Sequence, residues 1–364
     1  MKSDLQKTPL YKQHIALGAR MVGFGGWDMP VQYEGILAEY EQTRKRAALF
    51  DISHMGEFII EGDCVSTGFD RLVTMNIKDM PIKSCRYGAM LNEDAGTLDD
   101  LIVFRMEQEK WFVVVNAATT PKDVEHIQKN LSSGASFKDV SAEMGKIDVQ
   151  GPLARDVLSA LVKDIERLEY YTFDFFDLLG KNVLISRTGY TGELGYEIYY
   201  PWNKTVELWD TFLKDKRVKP VGLGARDVLR LEMGYSLYGH ELSEDISPLE
   251  AGLNRFVDWD KDFLGKEALL AQKVEGVRRK VVGLASLTRR TPREGHKIYS
   301  EQGKGIGVVT SGTFSPVCNQ GIGLGFVVTD EVKMGKKIFF GDDKNKISAT
   351  ISSRFVYKGS SLKN

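Results

Sequence analysis

The sequence predicts an α+β fold, with antiparallel sheets flanked by helices and a β domain at the C-terminal end, on three observations. Strand-like and helix-like segments do not alternate strictly, which excludes a doubly wound parallel sheet. Between residues 55 and 115 short apolar runs follow one another across polar turns, the pattern of an antiparallel sheet. From about residue 280 the chain turns glycine-rich and β-like, with strands expected at 281–284, 305–310, 322–328, 337–340 and 348–351.

Each element has its own signal. Thr8-Pro9 before an apolar-periodic stretch that stops at Gly18 marks a short helix, capped by the threonine with proline in the first turn. Gly23-Phe24-Gly25-Gly26-Trp27-Asp28-Met29-Pro30 reads as turns, residues 36–49 as a helix and residues 55–61 as a strand. Strands follow at 85–91, 97–104 and 111–115, separated by the turn Asn92-Glu93-Asp94-Ala95-Gly96 and a polar turn at 106–110. Thr120-Pro121-Lys122-Asp123 opens a helix with a capping-box arrangement. A second antiparallel unit runs through 182–187 and 196–200, and helical signals recur at 205–213, 225–233 and 265–272.

The chain of 364 residues is long enough for two or three domains. Lysine and arginine total 49 against 50 acidic residues, so the balanced charge does not suit a nucleic-acid partner. No apolar run approaches a membrane span, so no membrane partner is expected either. Residues 1–8 are polar, with neither the apolar core of a signal peptide nor an arginine-rich leader, which points to the cytoplasm. Cys64, Cys85 and Cys318 lack CxxC or zinc-ligand spacing, and His14, His54, His126, His240 and His296 are scattered. No metal is expected, and the thiols read as packing residues in a reducing compartment.

The pattern with the most chemical content is Asp99-Asp100, inside the apolar strand Thr97-Leu98-Asp99-Asp100-Leu101-Ile102-Val103-Phe104. A carboxylate there must be paired, solvated or useful. Alternation puts Leu98, Asp100, Ile102 and Phe104 on one face and Thr97, Asp99, Leu101 and Val103 on the other. The two acids are therefore not expected to act as a couple, which excludes glycosidase and aspartic-protease chemistry. Folding about the turn near residue 94 sets Asp100 beside Tyr87 or Gly88, and folding about the turn near 108 sets it beside Val115 or Asn116, within a residue of register. Tyr87, Asp100 and Asn116 then lie abreast, either as a recognition row or as two groups satisfying a structural carboxylate.

Two further strings stand out. Ser186-Arg187-Thr188-Gly189-Tyr190-Thr191-Gly192-Glu193-Leu194-Gly195-Tyr196-Glu197 has no phosphate-loop spacing, and its acids repel phosphate, which excludes nucleotide binding. A tight turn delivering Glu197 into a strand suits a cationic or amide-like donor edge, with a solvated surface hairpin as the alternative. Gly222-Leu223-Gly224-Ala225-Arg226-Asp227 puts Arg226 in the first turn of a helix, where it opposes the macrodipole and points to an anionic partner; pairing with Asp227 or Glu232 is the alternative.

Taken together these strings resemble the glycine cleavage T-protein family of tetrahydrofolate-dependent aminomethyltransferases. Also similar to that family are Phe24-Gly25-Gly26-Trp27-Asp28-Met29-Pro30, Asp51-Ile52-Ser53-His54-Met55-Gly56-Glu57, Phe263-Leu264-Gly265-Lys266-Glu267-Ala268-Leu269 and Thr310-Ser311-Gly312-Thr313-Phe314-Ser315-Pro316. The resemblance implies three domains in a cloverleaf arrangement: residues 1–50 with 137–220, residues 51–136 with 221–279, and a barrel-like domain at 280–364. It implies transfer of the methylene of an aminomethyl group, carried on lipoylated H-protein, to tetrahydrofolate with release of ammonia. Asp100 would be the catalytic residue. Tyr87, Ile102, Asn116, Tyr171, Tyr190 and Tyr235 would line the folate site, Glu197 would hold the pterin amino edge, and Arg226 and Tyr357 would complete it. Phe104 stands where some relatives have tyrosine.

Two other readings keep the fold. A folate-binding assembly or repair protein without transferase activity resembles K-G-C-Y-x-G-Q-E, absent here, and a folate-linked demethylating module is normally fused to a flavin domain whose dinucleotide fingerprint is also absent. A pure interaction protein does not account for an acid committed to an apolar strand.

Overall fold

Three large sheets and one short hairpin organise the computed structural model, which describes residues 5–362. Helix α1 (Tyr11–Ala16) forms after Thr8-Pro9, but Thr8 does not cap it. The Thr8 hydroxyl instead donates to Asp51 Oδ2 at 2.6 Å, and His14 Nε2 meets the same oxygen at 2.8 Å, which anchors the helix to the strand ending at Asp51. The stretch 23–30 is not a run of turns. Strands β1 (Arg20–Phe24) and β2 (Trp27–Gln32) pair antiparallel across Gly25 and Gly26, whose φ of 56° and 86° suits glycine alone.

The helix expected over 36–49 stops early. Helix α2 (Ile36–Lys45) gives way to strand β3 (Ala47–Asp51), whose every residue is buried. Gln42 marks the break by donating its side-chain amide to the carbonyls of Ala47 and Arg217 at 2.6 and 2.8 Å. Helix propensity yields here because a strand pairs on both edges and buries both faces.

Strands β4 (Gly56–Glu61), β5 (Cys85–Leu91), β6 (Thr97–Glu107) and β7 (Lys110–Val115), helix α3 (Thr120–Asn130) and strand β8 (Ser136–Asp139) follow. The strands make an antiparallel five-stranded sheet in the order β5-β6-β7-β4-β8, over a core that includes Phe58, Leu101, Val103, Trp111, Val113 and Ile127. This sheet runs past residue 136, because β8 pairs with β4 through Phe58↔Asp139 and Glu61↔Ser136.

Strand β9 (Met144–Gln150), helix α4 (Ala154–Leu158), strands β10 (Phe173–Leu178), β11 (Lys181–Ser186) and β12 (Gly195–Pro201), helix α5 (Thr205–Leu213) and strand β13 (Val218–Pro220) build a six-stranded sheet with β3. Its order is β10-β11-β12-β9-β3-β13, with β13 parallel to β3. Helix α6 (Leu223–Glu232) packs Ala225, Val228 and Leu229 on Tyr40, Ala48 and Phe50. It therefore belongs with α2 and β3, not with the five-stranded sheet that residues 221–279 are expected to flank. Helix α7 (Lys266–Glu275) does flank that sheet, through Leu269 against Ala89, Leu91 and Ala95.

Strands β14 (Arg279–Ser286), β15 (Lys297–Tyr299), β16 (Gly305–Ser315), β17 (Gln320–Val328), β18 (Lys337–Gly341) and β19 (Lys346–Ser352) close into a barrel in the order β14-β17-β16-β15-β18-β19. The α+β class with a C-terminal barrel thus holds. Among the described residues no helix is long and apolar enough to cross a membrane.

Buried charges join the units. Arg44 of α2 contacts Glu193 Oε1 at 2.8 Å and Glu232 Oε2 at 2.7 Å. Glu232 also accepts the hydroxyls of Tyr40 and, from β16, Ser315. Arg230 meets Glu241 at 3.0 Å, and Glu241 accepts the β16 hydroxyls of Thr310 and Ser311. After β19 the chain returns as a strap. The N–H groups of Val356 and Tyr357 donate to Glu232 O, Ser360 Oγ donates to Gly192 O, and Ser361 binds Glu193 Oε2 through its N–H and hydroxyl. Removing one member of a buried ionic network strands its partner. Glu232→Ala is therefore expected to cost about 3 kcal/mol in urea denaturation, and a loss below about 1 kcal/mol would show the junction to be held by apolar packing instead.

Candidate active site

The site forms where β5, β6 and β7 of the five-stranded sheet approach β12, β9 and α6. Asp100 lies opposite Ala89, and Tyr87 opposite Ile102. The pairing sits one residue beyond the expected Gly88 because the register shifts between Met90 and Leu91. The predicted row nevertheless forms. Tyr87 donates its hydroxyl to Asp100 Oδ2 at 2.9 Å, and Asn116 donates its amide to Asp100 Oδ1 at 2.8 Å. Phe256 holds the Tyr87 ring edge-to-face at 4.7 Å.

Burial, and then the charge of Asp99, push the Asp100 carboxyl up to about 7, against the two donors that favour its ionised form. Burial and Asp100 hold the Tyr87 phenol well above its usual range, so it stays a donor. Asp100 and Tyr87 are enclosed by protein yet keep partial accessibility. Ile102 packs beside them with Met55, Phe104 and Tyr171.

Alternation separates Asp99 from Asp100 as expected, with Asp99 fully buried and Asp100 partly accessible. The expectation that the two acids are uncoupled needs correction. Asn116 Nδ2 lies 2.8 Å from a carboxylate oxygen of each, and the charge of Asp99 raises Asp100. The separation is one of face, while the amide at the strand end reaches around both. The capping box expected at Thr120 and Asp123 is also absent. Thr119 gives its hydroxyl to Asp99 Oδ2 at 2.8 Å, and the Thr120 hydroxyl lies 2.9 Å from Asn116 O.

On the six-stranded sheet, Glu197 on β12 pairs with Asp148 of β9 and Ser186 of β11. Its Oε2 accepts the Thr188 hydroxyl at 2.7 Å, and its Oε1 faces Lys146 Nζ at 3.6 Å. Arg226 reaches Asp148 Oδ2 at 3.0 Å. The anion that this arginine seeks is therefore an internal carboxylate, neither Asp227 nor Glu232, and a residue on a strand distant in sequence supplies it. Burial pushes Asp148 up to about 7, while Arg226 and the Gln150 amide favour its charged form.

The aromatic residues divide into two groups. Tyr190 stacks on Tyr235 at 5.5 Å, carries Arg226 over its ring at 5.1 Å and donates its hydroxyl to Ser236 O. Tyr171 has a φ of 63°, an unusual backbone conformation for a bulky residue, held by its N–H to Arg187 O and its carbonyl to Cys85 N–H. Tyr357 is placed differently. Its ring lies on the Arg44 guanidinium at 3.7 Å, so it joins the charge network and not the Asp100 row. Phe104 is fully buried among Phe112, Phe173 and Tyr199, an aromatic cluster with no use for a hydroxyl there.

Sequence reasoning missed Lys146, Asp148, Glu57 and His54. The first two sit two residues apart in Met144–Gln150, and the alternation rule applied to Asp99-Asp100 would have put both on one face. Both Glu57 carboxylate oxygens are buried without a hydrogen-bond partner among the described residues, and burial holds that group well above its usual range. Burial lowers His54 to about 4, so it is neutral. Among the described residues no group of His, Cys, Asp and Glu could hold a metal ion.

Residues 10–261 match the GCVT N-terminal domain, and residues 279–358 match the glycine cleavage T-protein C-terminal barrel domain. The aminomethyltransferase of Pseudothermotoga lettingae is 42% identical over 360 residues, which are 98% of this chain and 99% of that protein. That of Staphylococcus carnosus is 40% identical over 357 residues, 96% of this chain and 98% of its own. The crystal structure of glycine cleavage system aminomethyltransferase T from Bartonella henselae is similar with a TM-score of 0.93 at 33% identity, covering 98% of this chain and 99% of that one. The chain belongs to the glycine cleavage T-protein family.

The raised Asp100 carboxyl has a consequence for stability. Between about pH 4 and about pH 7 the folded chain binds more protons there than the unfolded one, so stability falls as pH rises through that window. Asp100→Asn is expected to stabilise the fold by on the order of 1 kcal/mol near about pH 8 and by little near about pH 4. Urea denaturation at both values checks this, and an equal gain at each would show that Asp100 keeps its ordinary proton affinity.

Proposed function

We propose that this chain is an aminomethyltransferase that passes the methylene of an aminomethyl group, carried on lipoylated H-protein, to tetrahydrofolate and releases ammonia. The observation that carries the reading is Asp100, an enclosed and partly accessible carboxyl pushed up to about 7 and held by Tyr87 and Asn116. Its chain matches aminomethyltransferases along nearly its whole length.

The residues fit a pterin-bearing ligand. Among the described residues the donor facing Glu197 Oε1 is Lys146 Nζ at 3.6 Å, which leaves acceptor capacity for an amide-like edge. The Tyr190–Tyr235 pair and Tyr171 offer aromatic surface next to it. Tetrahydrofolate, when bound, supplies the amine that accepts the methylene. In its ionised form Asp100 stabilises the positive charge that develops as ammonia leaves, then accepts the proton released when the new carbon–nitrogen bond forms. Its raised proton affinity brings that acceptance close to balance at neutral pH. Tyr87 and Asn116 fix the direction of the carboxylate, so the charge is aimed before the reaction begins. Arg226 is held by Asp148 and so presents a fixed cation beside the Tyr190 ring. On this reading the chain works in the cytoplasm alongside H-protein, the compartment in which its three free thiols stay reduced.

The direct experiment is transfer from aminomethyl-loaded, lipoylated H-protein, with ammonia and folate product both measured, and both substrates are expected to be required. Asp100→Asn is expected to lower kcat by about 10²- to 10⁴-fold, and turnover within about twofold of the parent at saturating folate would remove Asp100 from the reaction. Glu197→Ala is expected to weaken folate binding by about 10- to 100-fold in calorimetry, whereas unchanged affinity would assign that carboxylate to the fold alone.

A further inference from the structure

Behind Asp100 lies a second pair of carboxyls that the proposed reaction does not use. Asp123, in the first turn of α3, is fully buried, and no well-formed hydrogen bond from a described residue reaches its oxygens, although the Thr119 hydroxyl lies beside them. Its side chain is in hydrogen-bond contact with Asp99, which is itself fully buried. Two ionised carboxylates cannot share such a contact away from water, so one proton lies between them.

The donor count says which residue carries it. Asp99 accepts the Asn116 N–H at 2.9 Å, the Asn116 amide at 2.8 Å and the Thr119 hydroxyl at 2.8 Å. Thr119 also faces Asn116 O at 2.9 Å and Asp123, but the Thr120 hydroxyl serves that carbonyl at the same distance, and the well-formed carboxylate contact of Thr119 is the one to Asp99. Asp99 is therefore the ionised partner, and Asp123 is the protonated one, donating to it. Burial and the charge of Asp99 push Asp123 up to about 10, in accord with the geometry.

Asn116 connects this pair to Asp100. A side-chain amide has two donor hydrogens, and Asn116 Nδ2 lies 2.8 Å from Asp99 Oδ1 and 2.8 Å from Asp100 Oδ1. Its backbone N–H holds the other Asp99 oxygen, so Asp99 grips Asn116 at two points and leaves the second amide hydrogen for Asp100. Turning the amide over would set its carbonyl against two carboxylates.

We propose that Asp99 and Asp123 are positioning residues of the transfer reaction: the proton on Asp123 keeps Asp99 ionised, and ionised Asp99 fixes the Asn116 amide against Asp100 with a negative charge behind it. The inference rests on the reading of Asp100 as the reacting carboxyl. The other titratable groups around Asp100 are Tyr87 on β5 and Tyr190 in the turn before β12. Around the buried pair they are Tyr238, which faces Asp99, and Lys122, which faces Asp123.

Two measurements on the full chain test it. With ¹³C-labelled aspartate, infrared spectroscopy at about pH 8.5, above the titration of Asp100 and below that of Asp123, is expected to show a protonated carboxyl that Asp100→Asn retains and Asp123→Asn loses. In H-protein-dependent transfer, Asp99→Asn is expected to move the acidic limb of the kcat/KM profile down by about one pH unit and to lower kcat by about tenfold. A structural role alone would lower Tm and leave that limb in place. An active parent without the protonated carboxyl, or an Asp99→Asn profile with the parent's limb, overturns the inference and leaves the assigned reaction standing. A parent with the carboxyl but no transfer overturns the assigned reaction and the positioning role together, leaving only the shared proton.

Discussion

A set of charges buried around α6 ties the six-stranded sheet and its helices to the barrel. Arg44, Arg230, Glu193, Glu232 and Glu241 come from α2, α6, the turn before β12 and the loop after α6, and the barrel answers them with the hydroxyls of Thr310, Ser311 and Ser315. Apolar surfaces tolerate sliding, whereas a buried guanidinium between two carboxylates accepts one arrangement. That rigidity lets Arg226, on the first turn of the same helix, meet Asp148 on β9. The five-stranded sheet then presents Asp100 toward the same space.

The carboxyls around this space do different work because their donors differ. Asp99 has four donors when the Asp123 proton is included, and these favour its ionised form against the burial that raises it. Asp100, with two, is poised between forms. Glu57, with none among the described residues, is held well above its usual range by burial. Proton affinity in this interior follows the count of hydrogen bonds and the nearest charge, since burial alone raises every member alike.

Short-range pattern made the centre of the site legible. Strand alternation separated Asp99 from Asp100, and hairpin symmetry brought Tyr87 and Asn116 to Asp100 within one residue. Where the deciding contact was distant in sequence, pattern failed. Ala47–Asp51 reads as the end of a helix until β9 and β13 flank it, and the partner of Arg226 lies 78 residues away in Asp148. The capping-box signal at Thr120 and Asp123 misled for a related reason. Hydroxyls that ordinarily close a helix end found better acceptors in Asp99 and the Asn116 carbonyl.

The strap formed by residues 356–361 carries a consequence for biogenesis. The turn that bears Tyr190 and leads into Glu197 is latched by Ser360 and Ser361, and the N–H groups of Val356 and Tyr357 close on Glu232. A ribosome releases the two large sheets long before it releases these residues. The nascent chain therefore carries both sheets while the turn that bears Tyr190 is still unlatched. The clasp on the site is thereby added only after both sheets are complete, and a product truncated before residue 356 would retain its sheets while lacking the clasp.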